Sequence, residues 1–179
     1  LEENWGNTVL HCPYCHGYEV ADKKLGVLCI GEFSFHHAAT LRQWSKDITF
    51  FTNGMEFTEE QRADLTRRGI ALVDGPVTAF QDGKVLVGST THTVDSLFYM
   101  PIPRPHDEFL ADLNLKRHSP PPAMGGSLIE ADLTGATSHP RVWAVGNVVN
   151  PGAQVAMAMG QANAAAITVN AFLVEDDWI

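Results

Sequence analysis

The chain has 179 residues, 45% of them apolar, with 12 basic against 21 acidic side chains and a net charge of −9. That length suits one ordinary domain or two small ones, and the apolar fraction supplies a core. The negative charge argues against a nucleic-acid surface, which needs basic patches to displace counterions, and against anionic lipid. No apolar run reads as the roughly 20 residues of a membrane span. Leu1-Glu2-Glu3-Asn4-Trp5 does not read as a signal peptide, and the absence of an initiator Met points to a processed, truncated or recombinant piece. Three cysteines are too few for a disulfide framework, so a reducing, cytoplasmic setting is the expectation.

Residues 25–30 read as a buried strand ending at Gly31, with Cys29 a small buried strand residue. Residues 34–44 have helical character, and residues 47–52 form a second strand. Thr58-Glu59-Glu60-Gln61 is a capping box that opens a helix to about Arg68, where Gly69 stops it. Residues 70–74 are a third strand. This β-α-β-α-β order implies a parallel sheet with crossover helices. Residues 77–80 and 84–87 flank Gln81-Asp82-Gly83, a hairpin signal, and residues 93–100 read as another strand. Pro101, Pro103 and Pro105 then break the chain, which divides it into residues 7–103 and 104–179. The second part carries a short helix near 107–113 and the run Pro120-Pro121-Pro122. Strands near 127–130 and 142–145 follow, then a small-residue helix over about 152–173.

Cys12-Pro13-Tyr14-Cys15-His16-Gly17 carries the most chemistry. Two cysteines at this spacing open and close as a disulfide and so exchange two electrons. The thiolate is the attacking species, and the spacing, often at a helix N-terminus, lowers one sulfur's pKa toward neutrality. Pro13 limits the loop's conformations. His16 titrates near physiological pH and stands beside Cys15 to shuttle the exchange proton. Three readings compete. CxxCH is also a haem-attachment signature, but that needs export. His11, Cys12, Cys15 and His16 offer metal ligands, but there is no second CxxC, and adjacent ligands rarely point at one tetrahedral centre. The third is an inert structural pair. The redox pair is the favoured reading.

The turn Gly31-Glu32-Phe33-Ser34-Phe35-His36 stands where a nucleotide fold carries GxGxxG or GxGxxA. Only Gly31 fits. Phe33 stands where backbone must approach pyrophosphate, and His36 where helix and strand pack closely, so an ordinary turn without a dinucleotide stays open. Thr52-Asn53-Gly54 offers no Arg for a ribose phosphate, which weighs further against NADPH. His36 and His37 read as helix surface. Val142-Trp143-Ala144-Val145-Gly146-Asn147, then Gln154 and the helix behind it, forms a strand-to-helix junction. Its helix N-terminus favours negative charge and suits hydrogen bonds to a flavin's ribityl and pyrimidine groups. A plain packed strand and helix is the alternative.

Together these segments resemble the low-molecular-weight thioredoxin reductase family of pyridine-nucleotide and flavin disulfide oxidoreductases. CPYCHG stands where the family has its redox-active CxxCDG, and GVLCIGEFS stands at its nucleotide turn. TSHPRVWAVGNV, followed by Gln154-Val155 and a small-residue helix, looks like its C-terminal flavin motif. The order and separation of the three match. In that family FAD lies mainly on an N-terminal half ahead of the CxxC. The chain begins just before the CxxC, so the resemblance covers the middle nucleotide domain and the C-terminal part of the flavin domain. The implied fold is α/β: a three-layer Rossmann-like module with a parallel sheet and a β-meander, plus a partial FAD-domain segment.

The resemblance implies FAD as cofactor, with contacts from Gly146, Asn147, Gln154 and Val155, and Gly31 at the nucleotide turn. It implies a homodimer, and a dithiol or disulfide substrate that is a small molecule or a thioredoxin-like protein. Cys12 would exchange with substrate, Cys15 would lie nearer the flavin, and His16 would be the acid/base. The departures are His16 and Asn147 in place of the family's aspartates, and the lost glycines and basic residues of the nucleotide site. A CxxCHG branch that does not depend on nicotinamide, including flavin dithiol oxidases of the gliotoxin and holomycin type, is the nearer likeness. An NADPH-dependent thioredoxin reductase is the nearest rival function, and a non-catalytic truncated domain is the rival of another class.

Overall fold

A computed structural model of the chain describes residues 1–119 and 126–177, so the Pro120-Pro121-Pro122 run lies outside the described residues. The chain forms two compact units, Leu1–Pro101 and Ile102–Ile179.

The first unit is built on a sheet of β1 (Val9–Leu10), β2 (Leu25–Leu28), β3 (Ile48–Phe51), β4 (Ile70–Val73) and β8 (Ser96–Phe98). Their spatial order is β1-β8-β2-β3-β4, and every pairing is parallel. All four residues of β2 and of β3 are buried. Continuous apolar strands of this kind need cover on both faces. On one face lie α2 (Phe33–Leu41) and α3 (Glu59–Arg67), whose Ala38, Leu41 and Leu65 join Leu25, Val27, Phe50, Ile70 and Phe98 in one core. On the other face Leu28, Phe51 and Leu97 pack with Val85, Val87 and Val94. The last three belong to or follow an antiparallel meander of β5 (Val77–Gln81), β6 (Lys84–Val87) and β7 (Thr90–Thr93). The expected three layers are therefore present.

Local signals account for the joints. Thr58 Oγ1 accepts from Gln61 N at 3.2 Å and Gln61 Oε1 accepts from Thr58 N at 2.9 Å, so both arms of the capping box form. Asp82 and Gly83 both take positive φ, 50° and 71°, as a two-residue hairpin turn requires.

Two expectations are corrected. The strand expected over 93–100 is split, with β7 ending in the meander and β8 entering the parallel sheet. Asp95 makes the step, its N–H donating to Lys24 O at 2.7 Å and its carboxylate accepting from Lys24 N at 2.8 Å. The strand expected over 142–145 in the second unit is only an isolated bridge between Ala136 and Trp143.

The second unit holds 3-10 turns at Glu108–Leu113 and Gly146–Val148, an antiparallel pair of β9 (Arg117–His118) and β10 (Leu128–Ile129), and the 22-residue α4 (Val155–Asp176). Its small core centres on Leu115, Ile129 and Ala144. Within α4 only Ala165 is buried. With a mean hydropathy of 1.2 in its most apolar window, α4 is long and apolar enough, by length and composition alone, to cross a membrane. That corrects the reading that no run approaches a span. Gln161, Asn163 and Asn170 interrupt the apolar letters without lowering the average enough.

Phe98, fully buried in β8, ties β1 to β2. Phe98→Ala should cost about 3–5 kcal/mol of unfolding free energy, read by chemical denaturation, and should loosen the segment that β1 feeds.

Candidate functional site

The two residues of β1 run directly into His11 and Cys12. Leu10 sits opposite Phe98, and Tyr99 N–H donates to Leu10 O at 3.1 Å, which fixes where the strand stops. The next turn is α1 (Pro13–His16), with Cys12 at its N-cap and Pro13 at its first position. Proline suits that place because its missing N–H has no helical partner to lose. Cys12 and Cys15 are joined as a disulfide with their Cα atoms 5.2 Å apart. Cys12 is buried and Cys15 exposed. Cys15 N–H donates to Cys12 Sγ at 3.2 Å.

His16 follows Cys15 and is part-exposed, its Nδ1 3.1 Å from Glu19 Oε2. His11 stacks on Trp5, ring centroids 5.4 Å apart and 15° from parallel. Desolvation holds the His11 pKa below its ordinary value, and the neighbouring His16 adds to the effect. His37, expected on the surface of its helix, is buried, and its neighbour His36 is the exposed member of the pair. Among the described residues no three His, Cys, Asp or Glu side chains gather as a metal site.

Gly17 closes the loop, its N–H donating to Pro13 O at 2.7 Å. Its backbone is ordinary right-handed helix, so conformation does not demand glycine. Space does: a Cβ there would collide with the Pro13 carbonyl and the Trp44 indole.

The strand expected over 25–30 stops at Leu28, and Gly31 lies in the turn before α2, where a Cβ would meet open space. Ser34, buried, turns its hydroxyl back to accept from Ile30 N at 3.1 Å, and Glu32 stands at the N-cap position of α2. The adjoining cleft, about 510 Å³, is lined by Glu32, Glu60, Asp64, Phe35, Gln61 and Arg67. Arg67, the basic residue among them, is paired with Asp64 at 2.9 Å. Carboxylates here oppose a pyrophosphate.

In the second unit Gly146 takes φ 74°, and its N–H donates to Gln161 Oε1 at 3.0 Å. Asn147 Nδ2 donates to the carbonyls of Pro151 at 3.0 Å and Ala153 at 3.3 Å, and so shapes the loop that leads to α4. Gln154 is the N-cap residue of α4 and Val155, exposed, its first helical residue. A cleft of about 460 Å³ beside this turn is lined by Gly135, Val145, Asn150 and Gln161, among others. First-turn N–H groups of a helix lack intrahelical partners, so this start fits one part of a flavin site. The structure thus brings Cys12, Cys15 and His16 together in one turn, and Gly146, Asn147, Gln154 and Val155 together in another. Gln161 was not marked by any spacing in the sequence; Gly17 stood in the CPYCHG motif with no role assigned, and His37 was read as helix surface, because their roles come from packing.

A CxxC disulfide at the end of a strand, in a parallel-sheet nucleotide-type module, is an arrangement chemically able to exchange a disulfide for two thiols. No family model matches the chain. It is 37% identical over 59 residues to thioredoxin reductase tcpT of Claviceps purpurea, which is 30% of this chain and 18% of that protein. In structure it is similar to HlmI, with 38% identity and a TM-score of 0.87 over 98% of this chain and 55% of that one. It is also similar to an oxidoreductase from Agrobacterium tumefaciens, with 32% identity and a TM-score of 0.88 over 97% of this chain and 59% of that one. The chain is thus similar, in sequence and structure, to thioredoxin reductases and related oxidoreductases, and it spans a little over half the length of these solved relatives.

Gly17→Ala should destabilise the first unit by about 1–3 kcal/mol, measured as a lowered denaturation midpoint, and should increase proteolysis between His11 and Tyr18.

Proposed function

We propose that the chain is the redox module of a flavin-linked thiol–disulfide oxidoreductase acting on a small-molecule or protein dithiol without nicotinamide, near the CxxCHG dithiol-oxidase branch. The observation that carries this reading is the Cys12–Cys15 disulfide, held at a strand end with one cysteine exposed and a histidine beside it.

A substrate thiolate attacks one sulfur of the pair and forms a mixed disulfide, releasing the other cysteine as a thiolate. The second substrate thiol then attacks the mixed disulfide. The substrate leaves as a disulfide, and two electrons and two protons stay on Cys12 and Cys15. His16, with Glu19 at 3.1 Å, is positioned to carry a proton in these steps. Exposure favours attack at Cys15, and the family resemblance assigns exchange to Cys12, so each single serine variant should trap a different mixed disulfide. Bound FAD would supply a two-electron acceptor for the reduced pair, and Gly146, Asn147, Gln154 and Val155 are the residues of this chain that would face or shape its site. The acidic cleft beside Gly31 and the side chains at Glu32 and Phe33 support independence from NADPH. A homodimer and a cytoplasmic, reducing setting belong to the same reading.

Oxidation of dithiothreitol by the FAD-supplemented protein, followed as thiol loss, tests it. Cys12→Ser and Cys15→Ser should each lower the rate at least about 100-fold, and NADPH should not bleach any bound flavin. Equal rates in the serine variants would favour the non-catalytic domain. Bleaching by NADPH would favour the reductase.

A further inference from the structure

The first unit contains a buried histidine that the chemistry above does not use. His37 is 2% exposed, and neither ring nitrogen has a hydrogen-bond partner. A neutral imidazole carries one donor and one acceptor, and burying both without partners costs free energy that native structures seldom accept without a reason. Its position suggests the reason. The ring stands edge-on to Phe98, centroids 5.8 Å apart at 87°. Phe98 is the register partner of Leu10, the last residue of β1, and the chain passes from Leu10 through His11 to Cys12. The helix that carries His37 also packs against α1, the turn that holds Cys15. Burial, and then the neighbouring His11, hold the His37 pKa down to about 4, so the ring is neutral at pH 7 and keeps a lone pair free to accept. The other charged groups it feels are His11 and His36. The His11 backbone pulls the other way, raising the pKa, and does so without meeting hydrogen-bond geometry.

We propose that His37 sets the redox poise of the pair: its ring waits without a partner while Cys12 and Cys15 are bonded, and accepts a hydrogen bond from the Cys12 thiol once the bond is opened. A disulfide sulfur has no hydrogen to give, whereas a thiol is a donor. The balance of the step is unchanged. A dithiol loses two S–H bonds and gains an S–S bond, the Cys12–Cys15 bond breaks, and two electrons and two protons move to the protein. His37 takes no electrons. It stabilises the reduced state alone and so makes the pair easier to reduce.

The inference rests on the redox reading of Cys12 and Cys15. The test equilibrates the whole chain with mixtures of reduced and oxidised dithiothreitol and reads the thiol fraction by alkylation and intact mass. His37→Leu should be about tenfold harder to reduce than the parent, which is about 30 mV for a two-electron couple. Its oxidised form should be no less stable, since an orphaned polar group has been removed. His37→Gln, which keeps a buried acceptor, should recover most of the shift. An unchanged equilibrium in a folded His37→Leu overturns the proposal. Should that variant fail to fold, the ring nitrogen resonances of His37 in the parent protein decide. They should move on reduction, and identical signals in both states overturn the proposal. A parent pair that dithiothreitol does not reduce at all strikes the redox reading instead.

Discussion

The site depends on one short parallel pairing. β1 has only two residues, and its place in the sheet comes from β8, which lies near the far end of the first unit. The bonds Leu97 N to Thr8 O at 2.8 Å and Tyr99 N to Leu10 O at 3.1 Å fix both the direction and the end point of the strand. Everything chemical follows within a few residues. Cys12 becomes an N-cap, Pro13 starts a turn, and Gly17 fits beneath Trp44. Because a parallel pair needs a long connection, the loop that carries Cys12 and Cys15 is a product of the whole first unit and has little structure of its own.

Much of the unit could be read in advance. The apolar runs of β2 and β3, the reciprocal capping box at Thr58 and Gln61, and the Asp82-Gly83 turn are local signals whose physics does not depend on distant residues. What was hidden depends on distance. β1 is too short to show a period, and its partner lies far along the chain. The break between β7 and β8 is made by Asp95 binding the backbone of Lys24, a contact no window of sequence contains. His36 and His37 look alike as letters. Only the placement of α2 on the sheet sends His37 inward and leaves His36 in solvent. In the second unit the apolar letters at 142–145 promised a strand, but only Trp143 finds a bridge partner among the described residues.

The candidate site was legible in unequal parts. The CxxC spacing pointed to a closed disulfide, which the structure shows, because few other uses of two cysteines at that distance fit an acidic chain with one further, buried cysteine. The turn at Gly31 lacks the glycines and basic residues of a nucleotide site, and carboxylates line the neighbouring cleft. At Gly146 and Asn147 the sequence marked the turn but not how it is held. Gln161 reaches back from α4 to the Gly146 N–H, and the Asn147 amide is committed to loop carbonyls. Asn147 thus acts here on the shape of the turn.

The most direct measurement is a thiol titration of the folded chain against graded dithiothreitol, with near-ultraviolet circular dichroism recorded on the same samples. A redox pair held by an intact fold should release two thiols together in one transition, with Cys29 unmodified and the dichroism of the folded state retained. Thiols that emerge only as the dichroism collapses would make the disulfide a structural staple and contradict an exchange role for Cys12 and Cys15.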